Sequence, residues 1–163
     1  MPRRVACIAV VGPGRDASAG ELAAAEEAGA AIASAGATLV CGGLGGVMEA
    51  ACRGARSRGG FTIGLLPGSD RDDANGWVVL ALPTGLGEGR NALVVRAADA
   101  VVAIGGGWGT LSEIALALRR GLPVLGVATW ELVRGGEPVA GVRAVDDAAT
   151  AVAEALRLAE SRR

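Results

Sequence analysis

The residue types that could do chemistry in this 163-residue chain are concentrated in glycine-rich turns, and the richest of these runs Gly105-Gly106-Gly107-Trp108-Gly109-Thr110-Leu111-Ser112-Glu113. Glycine removes the Cβ, so backbone N–H groups can approach a phosphate, and the N-terminus of a following helix adds partial positive charge. Gly105, Gly106, Gly107 and Gly109 would let the backbone fold under an anion, Thr110 would donate a hydroxyl, and Glu113 is the one carboxylate of that turn. Thr110 to Glu113 also fits the S/T-x-x-E pattern, so the same residues read as a capping box that starts a helix. Similar turns occur at Gly12-Pro13-Gly14-Arg15, Gly42-Gly43-Leu44-Gly45-Gly46, Pro67-Gly68 and Gly85 to Asn91. One such turn carries little weight. Several at one edge of a sheet point to an anionic, nucleotide-like ligand. Arg15 is the side-chain partner such a phosphate would find, and Trp108 is the better stacking candidate among the tryptophans. The first turn has no GxGxxG and no acidic residue closes a second strand, which argues against NAD as a hydride cofactor.

What is missing narrows the chemistry further. The chain has no Lys, so it can form no Schiff base with pyridoxal phosphate and complete no P-loop. It has no His, which removes Ser-His-Asp and Cys-His arrangements and His-bearing metal sites. Cys7, Cys41 and Cys52 lack CxxC spacing and lie in apolar stretches, where they read as small hydrophobes; no metal site is expected. Acid–base work must fall to Asp, Glu or Arg-assisted water. A net charge of −1 with no long run of like charge argues against nucleic acid and against a membrane surface as partners. No stretch approaches the ~20 apolar residues of a membrane span, and a cytoplasmic location is expected.

The elements that must position these residues follow from the apolar pattern. Runs at Val5 to Val11, Thr38 to Val40, Phe61 to Leu66, Trp77 to Leu82, Ala100 to Ile104 and Pro123 to Val127 predict strands. Their unbroken apolar character suits a parallel sheet buried on both faces. Between them, Ala19 to Ser34, Val47 to Arg58, Arg90 to Ala97, Leu111 to Arg120 and Asp147 to Ala159 predict helices. Ser18 with Glu21 marks a capping box, and Gly36, Gly59 and Gly121 follow helix ends. Pro67 to Gly76 and Trp130 to Gly141 read as surface loops. Alternating strands and helices with right-handed crossovers give the α/β class: a single doubly wound Rossmann-like domain over 1–163, with a mainly parallel sheet and helices on both faces.

The stretch Gly106 to Glu113 resembles the PGGxGTxxE motif of the Lonely guy (LOG)-like, or lysine-decarboxylase-like, Rossmann-fold family. Gly42-Gly43 with Gly46, Val47 and Met48 is similar to that family's GGGxxGLM turn, and Arg90 precedes Glu113 as an Arg precedes the family's Glu. The resemblance covers Val5 to about Val127 and is nearest to the small branch written with GGGWGTLSE, which includes molybdenum cofactor carrier proteins. In the phosphoribohydrolase members the resemblance implies that Gly106, Gly107, Gly109 and Thr110 hold the phosphate of a nucleoside 5′-monophosphate. Arg90 and Glu113 would then act at the glycosidic bond as catalytic residues, releasing free base and ribose 5-phosphate. A carboxylate beside the anomeric carbon stabilises an oxocarbenium-like transition state, and a neighbouring Arg supplies fixed charge. Gly105 stands where those enzymes have Pro, and Asn91 where they have Lys. In the carrier branch the resemblance implies binding without cleavage, with molybdenum cofactor or a nucleotide as cargo and no cofactor required for activity. The decarboxylase label fails, since pyridoxal chemistry needs a Lys. The apolar positions of Leu111 to Arg120 exceed one narrow stripe, so a homodimer or larger assembly is expected.

Overall fold

The computed structural model describes residues 4–162. Strands β1 (Cys7–Val11), β2 (Thr38–Cys41), β3 (Thr62–Leu66), β4 (Leu80–Pro83), β5 (Ala100–Ile104), β6 (Val124–Val127) and β9 (Val142–Ala144) form one seven-stranded sheet in the order β4-β3-β2-β1-β5-β6-β9. Every neighbouring pair in it is parallel. A short antiparallel ribbon pairs β7 (Val133–Arg134) with β8 (Glu137–Pro138). The helices are α1 (Ala19–Ser34), α2 (Val47–Ser57), α3 (Arg90–Ala97), α4 (Trp108–Arg119) and α5 (Ala148–Ser161).

Side-chain alternation along the central strands explains why both faces must be covered. Ile8 and Val10 pack with Ala28, Ile32, Ala51 and Val152 on the side of α1, α2 and α5. Ala9 and Val11 point the other way, to Val94, Val95, Ile114 and Ala117 of α3 and α4. This is the expected α/β fold with helices on both faces. The chain winds outward from β1 to β4, then returns to β5 on the other side of β1. The reversal opens a crevice beyond the carboxyl ends of β1 and β5, where ligands bind in sheets of this kind.

Helix starts differ in a way that matters for the site. Ser18 caps α1 in a reciprocal box with Glu21, as its sequence suggests. Asp147 caps α5 through the Thr150 N–H. The N-cap of α4 is Gly107, which offers no side chain. Helix α4 thus begins at Trp108 rather than Leu111. The capping-box reading of Thr110 and Glu113 is overturned, because both residues lie inside the helix and face the interior.

The structure differs from the sequence expectations in three further places. The stretch Trp130 to Gly141 is not simply a surface loop: it contains the β7–β8 ribbon, turning through Gly135 and Gly136 at φ 60° and 85°, and its Trp130 and Leu132 pack against the core. The edge strand β9 lies beyond the last strand expected. The fourth strand begins at Leu80, since Trp77 to Val79 are held by Thr62, whose hydroxyl donates to the Trp77 carbonyl and accepts from the Val79 N–H. Among the described residues no helix is long and apolar enough to cross a membrane.

Candidate functional site

A cavity of about 500 Å³ occupies the crevice, walled by the turn after β1, the turn before α3 and the first turns of α4. Of the residues singled out by sequence, Gly12, Arg15, Arg90, Asn91, Gly107, Gly109, Thr110 and Glu113 line it. Gly42, Gly43, Gly46, Gly105, Gly106 and Trp108 do not. Pro13, Gly14, Leu44, Pro67, Gly87 and Glu88 line it as well, though the sequence does not single them out, and Met48 belongs to the core and to the cavity wall at once.

The glycines outside the cavity have structural reasons to be glycine. A Cβ at Gly42 would overlap the Nη1 of Arg90 and stand 2.7 Å from its Cζ, so this backbone is the floor on which the guanidinium rests. At Gly106 a Cβ would lie 2.5 Å from the indole nitrogen of Trp130, which donates to the Gly107 carbonyl at 3.3 Å and ties the loops after β5 and β6 together. Gly105 has φ of 61°, a value proline cannot adopt, which accounts for the departure from the PGG pattern at this position. A Cβ there would also overlap the carboxylate of Glu21.

Three polar side chains are buried at the cavity floor: Arg90 is 9% exposed, Thr110 3% and Glu113 8%. The Nε of Arg90 has no hydrogen-bond partner among the described residues. Burial lowers the Arg90 guanidinium below its ordinary value, against the opposing pull of Glu113 and Cys41. Burial likewise pushes the Glu113 carboxyl up to about 7, with Arg90 pulling the other way. The two groups sense each other's charge but form no direct ion pair among the described residues.

Such an arrangement can hold an anion. The first N–H groups of α4 are not taken by a side-chain cap, a guanidinium with an unused donor lies nearby, and the neighbouring carboxyl is neutral over much of the range below pH 7. Helix α2 differs: its first N–H already donates to the Pro13 carbonyl. The α4 terminus instead has no side-chain cap and places Gly107, Gly109 and Thr110 on the cavity wall. Asn91 stands at the rim, where its amide donates to the Ser112 hydroxyl and Ser112 in turn donates to the Gly109 carbonyl. Among the described residues no group of three or more His, Cys, Asp or Glu is placed to hold a metal ion.

Comparison with known proteins matches this architecture. The molybdenum cofactor binding protein of Rippkaea orientalis superimposes with a TM-score of 0.84 at 35% identity, covering 94% of this chain and 96% of that one. The molybdenum cofactor carrier protein of Chlamydomonas reinhardtii gives a TM-score of 0.84 at 36% identity, covering 95% and 98%. An uncharacterized protein of Archaeoglobus fulgidus is 41% identical over 104 residues, 64% of this chain and 68% of its own length. The sequence profile of the SLOG cluster4 family matches residues 5–155, a span that contains every residue of the cavity, and the chain belongs to that family.

Proposed function

We propose that the chain, acting as one nucleotide-binding domain, holds and carries a phosphorylated, nucleotide-like ligand without cleaving it, with molybdenum cofactor as the cargo. The observation that carries this reading is the buried Arg90, its Nε unpartnered, beside the uncapped first turn of α4 on one cavity. A phosphate would accept from Thr110, from the α4 N–H groups and from Arg90, giving the Arg90 Nε the partner that burial otherwise denies it. Similarity to two proteins named for the molybdenum cofactor, at 35% and 36% identity over nearly the whole chain, supports that cargo. Lining by Leu44, Met48 and the two prolines Pro13 and Pro67 suits the apolar body of such a ligand.

One observation favours a second reading. Arg90 and Glu113 line the same cavity, as a phosphoribohydrolase would require. In that reaction water adds to C1′ of the ribose, the bond from C1′ to the base nitrogen breaks, and the released base takes up a proton.

Incubation with a panel of nucleoside 5′-monophosphates, followed by chromatography, separates the two. Intact ligand retained on the protein with no free base is the expected result. Base release that disappears in both Glu113→Ala and Arg90→Ala would replace the carrier by the hydrolase. Protein isolated from cells that make the cofactor is expected to carry molybdenum and a pterin fluorescent after oxidation, in proportion to protein; protein free of both would remove that cargo. Self-association belongs to the same proposal, supported by the half-buried Leu111, Leu116 and Leu118 of α4. Light scattering that showed a monomer at micromolar concentration would remove it.

A further inference from the structure

A second hollow, of about 300 Å³, adjoins the first across the N-terminal turns of α3 and α4. Glu88, Asn91 and Gly109 wall both, so the two form one bent groove that runs from the buried Arg90 out to the surface. Its outer end has two unlike sides. Trp108, Ala92 and Leu116 make an apolar one, while Glu88, Asn91 and Ser112 make a polar edge.

Trp108 is the most exposed large apolar side chain described, at 80%. It is nonetheless braced from behind, its ring 5.4 Å from that of Trp130 at an interplanar angle of 33°. The Trp130 indole is itself fixed by its bond to the Gly107 carbonyl. An exposed indole face, backed by a second indole and beside a small polar-edged hollow, fits a planar heteroaromatic ring. At the polar edge, Asn91 and Ser112 are already engaged with each other and with Gly109. The carbonyl of Glu88 accepts from the Arg90 N–H, but its carboxylate has no hydrogen bond or ion pair among the described residues and offers two acceptors and no donor.

From this we infer that the outer hollow is the ring-binding half of the site and that Glu88 selects a 2-amino-4-oxopyrimidine edge, the one shared by guanine and pterins. That edge presents a ring N–H and an amino N–H side by side, matched to the two oxygens of a carboxylate. Adenine presents an acceptor nitrogen at the corresponding place, which would oppose lone pair to lone pair. The inference rests on the phosphate reading above and adds the chemistry of the ring.

The test is a calorimetric titration with GMP, IMP, AMP, neopterin monophosphate and ribose 5-phosphate. GMP and the pterin are expected to bind about tenfold more tightly than AMP, with IMP, which lacks the amino group, between them. Glu88→Gln should weaken GMP and the pterin about tenfold, leave ribose 5-phosphate unchanged and strengthen AMP, whose acceptor nitrogen the new amide can meet with a donor. Trp108→Ala should weaken every ring-bearing ligand about tenfold and leave ribose 5-phosphate unchanged. A pterin phosphate that outbinds GMP assigns the ring to a pterin, and the reverse assigns it to a guanine nucleotide; both support the inference. Ribose 5-phosphate binding with GMP, pterin and AMP indistinguishable would overturn the ring selection and leave the phosphate reading standing. Loss of all binding, ribose 5-phosphate included, would overturn both. Trp108→Ala that changes the oligomeric state but no ring affinity would assign this surface to a contact between copies and overturn the stacking role.

Discussion

Gly42→Ala is expected to reduce affinity for a phosphorylated ligand about 100-fold while the protein stays folded. The added methyl would occupy the space of the Arg90 guanidinium and approach the Met48 sulfur to 2.8 Å. Both obstacles are ends of flexible side chains, so the chain can accommodate the methyl by moving them, at a stability cost of about 1–2 kcal/mol. Movement of Arg90 is what matters for binding, because a guanidinium turned off the cavity floor no longer meets the ligand. A charge-assisted hydrogen bond lost in a buried site costs about 2–3 kcal/mol, which is roughly the 100-fold stated. Arg90→Ala should lose a similar factor. Arg90→Lys should recover little of it, since an ammonium cannot present the planar fork. Calorimetry with ribose 5-phosphate, alongside urea unfolding to show that the fold persists, measures both effects. Wild-type affinity in Gly42→Ala would mean that Arg90 does not bind the ligand from its present position.

The same glycine shows what the sequence could and could not disclose. Gly42 is readable as part of a phosphate-type turn, but its purpose is to leave room for a side chain that is distant in sequence, and no local pattern encodes that contact. Gly105 is similar: its positive φ explains why proline is absent, a fact visible only once the turn is built. Arg90, Thr110 and Glu113 were legible because the GGGWGTLSE stretch and the preceding Arg form a pattern. Glu88 was not, although it is the carboxylate within the Gly85 to Asn91 turn, two residues before Arg90, and that proximity was an available signal. The central strands were legible because burial on both faces leaves them uniformly apolar. Strand β9 was not, because Val-Arg-Ala at a sheet edge is short, partly exposed and held in register by β6 rather than by its own composition. The start of α4 was misplaced for the opposite reason. Glycine at the N-cap and at the second helical position reads as a turn, whereas the tertiary structure draws Trp108 and Gly109 into the helix and leaves its terminus without a side-chain cap at the cavity.

That uncapped terminus shares its cavity with a carboxyl that burial holds near neutrality, and the combination ties both stability and binding to pH. Glu113 titrates at about 7 in the folded protein, against 4.5 for an unperturbed carboxyl. Below pH 4.5 the group is protonated whether the chain is folded or not, so it makes no difference to stability there. As pH rises through the interval, the unfolded chain loses its proton while the folded one retains it, and stability is lost progressively until the folded form also ionises near pH 7. The full penalty, present by about pH 8.5, is on the order of 3 kcal/mol. Glu113→Gln keeps the shape and removes the titration. It should match the wild type in urea unfolding at pH 4.5 and exceed it at pH 8.5 by that amount, the largest single effect expected on stability. Arg90 from α3 and Cys41 from β2 are the other groups whose charge bears on this corner. A phosphate bound beside Glu113 would raise the carboxyl further, so binding above pH 7 must take up a proton, and affinity for ribose 5-phosphate should fall by up to about tenfold per pH unit until the bound form also ionises. In Glu113→Gln the same titration should be flat above pH 7, where the phosphate is already dianionic. Equal pH slopes in the two proteins, for unfolding and for binding, would show that Glu113 is ionised at neutral pH and that the cavity is wetter than its burial indicates.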